Sequence, residues 1–396
     1  MAAGLSACAD RMTMPRRGAG LCSCAWATLL LTSPLLAQPP SNAPAPPAAA
    51  PAEGDESTAA QEGKRKKVDL LIAPVPLSNP ATGTGLAVGA IAFYNPNAEP
   101  DQWISGGGVV YTTRGTKGIA GFHSMSFGQD RVRVNASLSY MDDRTNYYGI
   151  GRDAGDEGDR LELKSRQFDI DLQGLIRLFP DGYAGLRYRF RVTDAVPQEP
   201  DGAPPTPPED QMHSSMSALG PSFVYDTRDS PMQPKRGFYV SASWLFGLKA
   251  LGDSYHHNKL QLAGNAYMPI GSGTVLATRG ALCAAGGDVP YYDLCQFGAT
   301  NDLRGYPTGR YRDGASWAVQ AELRQHIAGR WGATGFVGLG GIAPSAGDIW
   351  SRGNLLPAAG AGVRYRPFRS NDVQLRVDFA VGKNDHGAYV GIAEAF

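Results

Sequence analysis

The chain carries no excess charge of either sign: 37 basic side chains balance 37 acidic ones across 396 residues. No net field therefore draws it to nucleic acid or to an anionic surface. Cysteine is scarce, at 5, and the 6 histidines (His123, His213, His256, His257, His326, His386) lie scattered without metal-ligand spacing. The sequence also lacks a Gly-x-Ser-x-Gly elbow and a phosphate-cradling loop of the Walker type. It reads as a non-enzyme with no metal or cofactor; a Ser/His/acid group whose members meet only in the fold is the alternative. A mean hydropathy of −0.26 excludes a polytopic helical membrane protein. It does not exclude a membrane β-barrel, whose alternating strands average close to neutral.

The N-terminus is expected to be an export signal over residues 1–37. Arg11, Arg16 and Arg17 precede an apolar stretch from Leu21 to Leu36, interrupted by Pro34, with a cleavage point near Ala37. Residues 38–67 are rich in Pro and Ala and have almost no large apolar side chain, so a flexible linker is expected there. Its end, Lys64-Arg-Lys-Lys67, reads as a solvated basic flank, or as a contact with anionic headgroups. Cys8, Cys22 and Cys24 would leave with the signal. The mature chain then keeps only Cys283 and Cys295, which in an oxidising compartment are expected to pair; two free thiols are the alternative.

What the sequence has in quantity is glycine, at 50, and alternation. From Val68 to Phe396 no helical period emerges, while period-two runs recur between Gly, Asp, Asn and Pro. In Val373–Val381 the residues Val373, Leu375, Val377, Phe379 and Val381 share one face, and Gln374, Arg376 and Asp378 the other. Trp317–Arg324 puts Gln320, Glu322 and Arg324 together, and Arg187, Arg189 and Arg191 share a face of the run Leu186–Val192. About sixteen such runs, of roughly 9–11 residues each, fit a transmembrane β-barrel better than a soluble sandwich. They extend from Val68–Val75 to Gly387–Phe396. If the first strand rises from the periplasm, the long connections (142–160, 194–213, 286–315, 343–356) all follow odd-numbered strands. Outer-membrane barrels have long outer loops and short inner turns.

The sixth outer connection, Gly286 to Ala315, is long and aperiodic, yet carries Tyr291, Tyr292, Phe297, Tyr306 and Tyr311, which argues against disorder. At its centre is Leu303-Arg304-Gly305-Tyr306. A guanidinium on such a tip suits delivery to a fixed carboxylate; a solvated loop arginine is the alternative. Parity places Glu322 and Asp378 on the polar side of the twelfth and fifteenth strands, which makes them the candidate partners.

With Tyr225-Asp-Thr-Arg-Asp-Ser-Pro231 followed by Pro234-Lys-Arg-Gly237, with Ser78-Asn-Pro-Ala-Thr-Gly83 and Tyr148-Gly-Ile-Gly151, and with an ending from Leu375-Arg-Val-Asp378 to Phe396, the chain from Val68 onward resembles the BamA/TamA-type outer-membrane barrel superfamily, the bacterial surface antigen family. The resemblance implies a 16-stranded antiparallel barrel whose sixth outer loop folds into the lumen. There Arg304, Gly305 and Tyr306 form a latch on Glu322 and Asp378. Asp226, Arg228, Asp229, Pro231 and Gly237 build an inner turn.

It also implies a weak seam between the first and last strands, with Pro74 and Pro76 on one side and Gly391 and Phe396 on the other. Proline has no N–H to give a ladder. Glu394, on the same face as Phe396, is expected outside near the membrane interface. The implied partners are outer-membrane lipid and client outer-membrane proteins or envelope factors. The implied function is assistance in inserting or translocating proteins or lipids; a passive channel or structural barrel is the alternative. Two departures stand out. Gly338, in Phe336-Val-Gly-Leu-Gly340, replaces an acid of the family pattern, so the loop is expected to be held more loosely, or by Asp378 and Glu322 alone. And the residues between Ala37 and Val68 are too few for a periplasmic POTRA module, so a member without such modules is expected.

Overall fold

A computed structural model describes residues 68–79, 83–99, 102–198, 204–296, 298, 302–349, 355–367 and 374–396. The expected signal (1–37) and linker (38–67) lie outside the described residues. Sixteen strands form one antiparallel sheet in which every strand pairs with its neighbours in sequence. They are β1 (Asp69–Asn79), β2 (Gly83–Tyr94), β3 (Trp103–Thr112), β4 (Lys117–Phe127), β5 (Val132–Tyr147), β6 (Leu161–Phe179), β7 (Gly182–Pro197) and β8 (His213–Asp226). Then follow β9 (Gly237–Gly247), β10 (His257–Gly271), β11 (Thr274–Gly287), β12 (Ala315–Ala328), β13 (Trp331–Ala343), β14 (Leu356–Tyr365), β15 (Leu375–Gly382) and β16 (Asp385–Ile392). The ladder order begins at β1 and ends at β16, and these two edges approach each other with Cα atoms within 8 Å. No hydrogen-bonded ladder joins them among the described residues.

Burial settles the polarity of the rows. Along β15, Phe379 is 63% exposed and Val381 58%, whereas Asp378 between the alternate positions is 0% exposed. Apolar side chains thus face outward and charged ones inward, the inverse of a soluble sandwich and the arrangement a lipid solvent demands. The interior is filled by the chain between β11 and β12. There Leu303, Tyr306 and Tyr311 pack with Ala281, Ala318, Ile342, Leu356 and Ala358 of the wall.

Several strands depart from their expected limits. β5 runs to Tyr147 and β7 to Pro197, well past Met141 and Thr193. Beyond the membrane both faces of a hairpin are wet, so alternation fades in the sequence while pairing continues, as in Tyr147↔Leu161. β1 runs to Asn79 rather than Val75, so Pro74 and Pro76 lie inside it, opposite Val88 and Leu86. An edge strand tolerates them because one row of its N–H groups has no ladder to feed. β16 ends at Ile392, four residues short of the expected Phe396. At Ala393 the backbone turns into the left-handed region (φ 65) and the tail bends inward.

Candidate functional site

The lumenal loop is tied down from its base upward. Cys283 of β11 and Cys295 form a disulfide with a Cα–Cα distance of 5.6 Å. Just beside it, Cys295–Gln296 and Arg312–Asp313 pair as a short ribbon that makes the neck of the loop. Asp293 accepts from Arg189 (3.3 Å) and Lys259 (3.0 Å), cations of β7 and β10, and Lys259 also donates to the Asp293 carbonyl at 2.6 Å. Deeper in, Asp302 receives Arg279 of β11 at 3.2 Å.

At the tip, Arg304 is 0% exposed. Its Nη1 donates to Asp378 Oδ2 at 2.6 Å, Nη2 donates to Glu322 Oε2, and Nε reaches Gln320 Oε1 at 3.3 Å. The guanidinium plane lies 3.4 Å from the centroid of the Phe336 ring. A planar, delocalised cation satisfies such a site, with in-plane donors to carboxylates and a face for the aromatic ring; an ammonium cannot do both.

The two residues that follow seat the tip on the last hairpin. Gly305 has φ 114, and a Cβ there would lie 2.8 Å from the Val381 carbonyl carbon, so only glycine fits on both counts. Its N–H donates to Tyr389 Oη of β16 at 2.9 Å. Tyr306 Oη donates to the Pro357 carbonyl at 2.5 Å and accepts from the Lys383 N–H at 2.9 Å. Its ring lies over Gly382, where a Cβ would come within 2.6 Å.

The position of Gly338 corrects the expectation of a loop held by two carboxylates alone. A Cβ at Gly338 would lie 2.5 Å from Leu303 Cδ1, so leucine fills the volume that an acid would take. Gln320 supplies a further acceptor. Packing by Leu303 and a neutral hydrogen bond to Gln320 thus add to the two carboxylates.

Glu394 is the second correction. It is not at the outer interface but inside, where it accepts from Arg364 Nε at 2.7 Å and Gln374 Nε2 at 2.5 Å. Phe396 lies under Arg324, whose guanidinium is 5.3 Å from the ring centroid and donates to the Phe396 carbonyl oxygen at 2.9 Å. The left-handed step at Ala393 reverses the parity that had assigned these side chains to the lipid face. Gly391 leaves room for Arg376, whose Nε would be 3.0 Å from a Cβ there.

The inner turn is likewise engaged. Arg228 forks onto Asp226 (2.9 and 2.8 Å) and stacks 4.4 Å from the centroid of Tyr239. Asp229 accepts the N–H groups of Lys235 and Arg236 at 2.9 and 3.2 Å, and Gly237 has φ 99 against the Thr227 carbonyl. Beside Pro231, the Met232 carbonyl accepts the Glu394 N–H at 3.1 Å, which links this turn to the C-terminal tail.

Outside the barrel, a second contact caps the loop. In the helix α1 (Arg152–Glu157), Asp156 accepts from Tyr311 (2.9 Å) and Lys383 (2.7 Å). Arg310 donates to the Gly155 carbonyl at 2.8 Å and pairs with Asp385 at 2.6 Å. Burial raises the Asp156 pKa, but hydrogen bonds from Lys383, Tyr311 and Arg152 outweigh it, and the carboxyl titrates below its ordinary range. Sequence reasoning missed Asp156, Asp293 and Asp302, which sit in aperiodic stretches. Arg364 and Arg376 were within reach, since they occupy the same polar rows as Glu322 and Asp378.

The fold is shared with known proteins. A family model, the Omp85 superfamily domain, matches residues 83–392. Among solved structures, BamA from Haemophilus ducreyi lacking POTRA domains 1–3 is similar with a TM-score of 0.56 at 14% identity, covering 83% of this chain and 70% of that one. CdiB from Escherichia coli gives 0.56 at 13% identity over 85% of this chain, and CdiB from Acinetobacter baumannii 0.54 at 12% over 83%. The chain spans 64% and 60% of those two proteins, respectively. No curated protein matches. A bacterial outer-membrane β-barrel with polar rows inside and a pinned sixth outer loop, the chain belongs to the Omp85 superfamily.

Proposed function

We propose that this barrel assists the insertion or translocation of proteins or lipids at the outer membrane, with the Arg304 loop as its plug and the β1–β16 edge as its lateral opening. The observation that carries the reading is where the plug sits. Gly305 lies against the β15 backbone and bonds Tyr389 of β16, so the same hairpin that seats the plug forms one lip of the seam. An edge carrying Pro74 and Pro76 has fewer donors to close that seam with, and a strand entering from a client would find unpaired groups to bond.

The test locks the seam. Cysteine pairs scanned along β1 against Ala388 and Val390 of β16 leave Tyr389, and with it the plug, intact. The protein is reconstituted into liposomes, and assembly of an outer-membrane barrel client is followed with the new disulfide formed and reduced. Loss of assembly on locking, recovered on reduction, is the expected result. Assembly indifferent to the lock refutes the lateral opening and leaves a channel or structural barrel as the reading.

A further inference from the structure

At the short-turn end of the barrel, a groove of about 600 Å³ opens on the lipid-facing side between the β4–β5 turn and the β6–β7 hairpin. Val132, Ile176 and Leu178 line it and are all exposed, Leu178 by 58%. Phe179 closes one side within an aromatic group, its ring centroid 6.4 Å from Phe223 and 6.2 Å from Tyr225. Such aromatic belts mark the depth at which acyl chains give way to headgroups.

Three charged residues border the groove, Arg177, Arg131 and Asp181, and the backbones of the last two are fixed. The Arg131 carbonyl accepts the Arg177 N–H at 2.8 Å, and the Asp181 carbonyl accepts the Asp226 N–H at 3.0 Å. Both side chains are exposed, and neither has a polar side-chain partner among the described residues. Arg177 and Arg133, which neighbour them, are already taken up by Asp130, at 2.7 Å each. The groove is thus left with one available cation, one available anion and an apolar floor.

The geometry points to a binding site for an aminophospholipid from the periplasmic leaflet, phosphate against Arg131, primary ammonium against Asp181, and acyl chains along Ile176 and Leu178. Arginine is suited to phosphate, on which its fork makes two parallel hydrogen bonds. A carboxylate distinguishes ammonium, with three N–H donors, from the quaternary choline group, which has none. A phosphatidylglycerol headgroup offers Asp181 no cation at all.

The full chain in nanodiscs of phosphatidylcholine doped with one test lipid, released into native mass spectrometry, reports which lipid remains bound. Wild type is expected to retain phosphatidylethanolamine about fivefold over phosphatidylcholine and phosphatidylglycerol, the selectivity of one exposed ion pair. Asp181→Asn, which suits the left-handed turn at this position (φ 61), abolishes the preference for ethanolamine over choline while phosphate-bearing lipids still bind. Arg131→Gln lowers retention of all three. Equal retention of the three lipids by wild type, or a preference unchanged in Asp181→Asn, overturns the assignment. Equally tight binding of soluble glycerophosphoethanolamine refutes the lipid source, because the apolar floor would then contribute nothing.

Discussion

Removing a carboxylate from the latch should cost more than removing its arginine. Among the described residues, Arg304, Arg324, Arg364 and Arg376 face three side-chain carboxylates, Glu322, Asp378 and Glu394, around one buried cluster, with Arg324 also donating to the Phe396 main-chain oxygen at 2.9 Å. Arg376 Nη1 lies 3.5 Å from Asp378 Oδ2, near enough for attraction but without a hydrogen bond, and its Nε is also unbonded. Arg304→Gln leaves three cations against three anions, with Glu322 still held by Arg324 at 2.7 Å and Asp378 by Arg364 at 2.5 Å. The loss is then that of the hydrogen bonds made by a charged group, about 1–3 kcal/mol. Asp378→Asn instead strands four guanidinium groups on two carboxylates, which should cost about 3–5 kcal/mol, the range for an uncompensated buried charge. Urea unfolding in detergent micelles, followed by loss of heat-modifiable mobility on gels, ranks the two. Arg304→Gln proving the more damaging would refute the accounting of an excess of positive charge in the cluster.

Gly338→Ala forces Leu303 aside and should destabilise the fold by about 1–3 kcal/mol. Combined with Leu303→Ala, which itself empties a buried site, the two losses should be less than additive in the same unfolding assay; no loss from Gly338→Ala would mean that Leu303 does not pack there. Replacing Cys283 and Cys295 by serine should cost about 3 kcal/mol through the freed unfolded chain, yet leave conductance unchanged, since the tip is held separately by Arg304. The α1 clasp should respond to acid. Because the folded pKa of Asp156 is depressed, its contribution is present above the ordinary aspartate value and fades as pH falls through the folded value, so the clasp holds from pH 8 to 5 and loosens below about 4. Protease accessibility of the α1 loop, measured against pH, would show it. In Asp156→Asn that access should already be raised at neutral pH.

Much of the fold was legible because a lipid solvent imposes strict alternation. The parity of 320, 322 and 324, and of 376 and 378, places those side chains in the lumen, and a four-residue tip between them has few other acids to meet. Parity fails where one residue leaves the strand. Ala393, with φ 65, sends Glu394 and Phe396 inward, and no composition signal announces a left-handed alanine. Asp293 and Asp302 anchor the loop from stretches with no period, so nothing in the sequence singles them out from solvated acids. Gly338 read as a missing contact because a sequence shows a lost charge but not the volume that Leu303 occupies in its place. The overhang of β5 and β7 was hidden for a related reason: above the membrane, pairing no longer requires an apolar face.

Single-channel recording in planar bilayers puts the plug itself to the test. The account predicts a wild-type barrel that is closed or only flickers open, and an Arg304→Gln barrel with larger and longer openings as the tip leaves Glu322, Asp378 and the Phe336 ring. A steady open pore in the wild type, unaltered by Arg304→Gln, would contradict it.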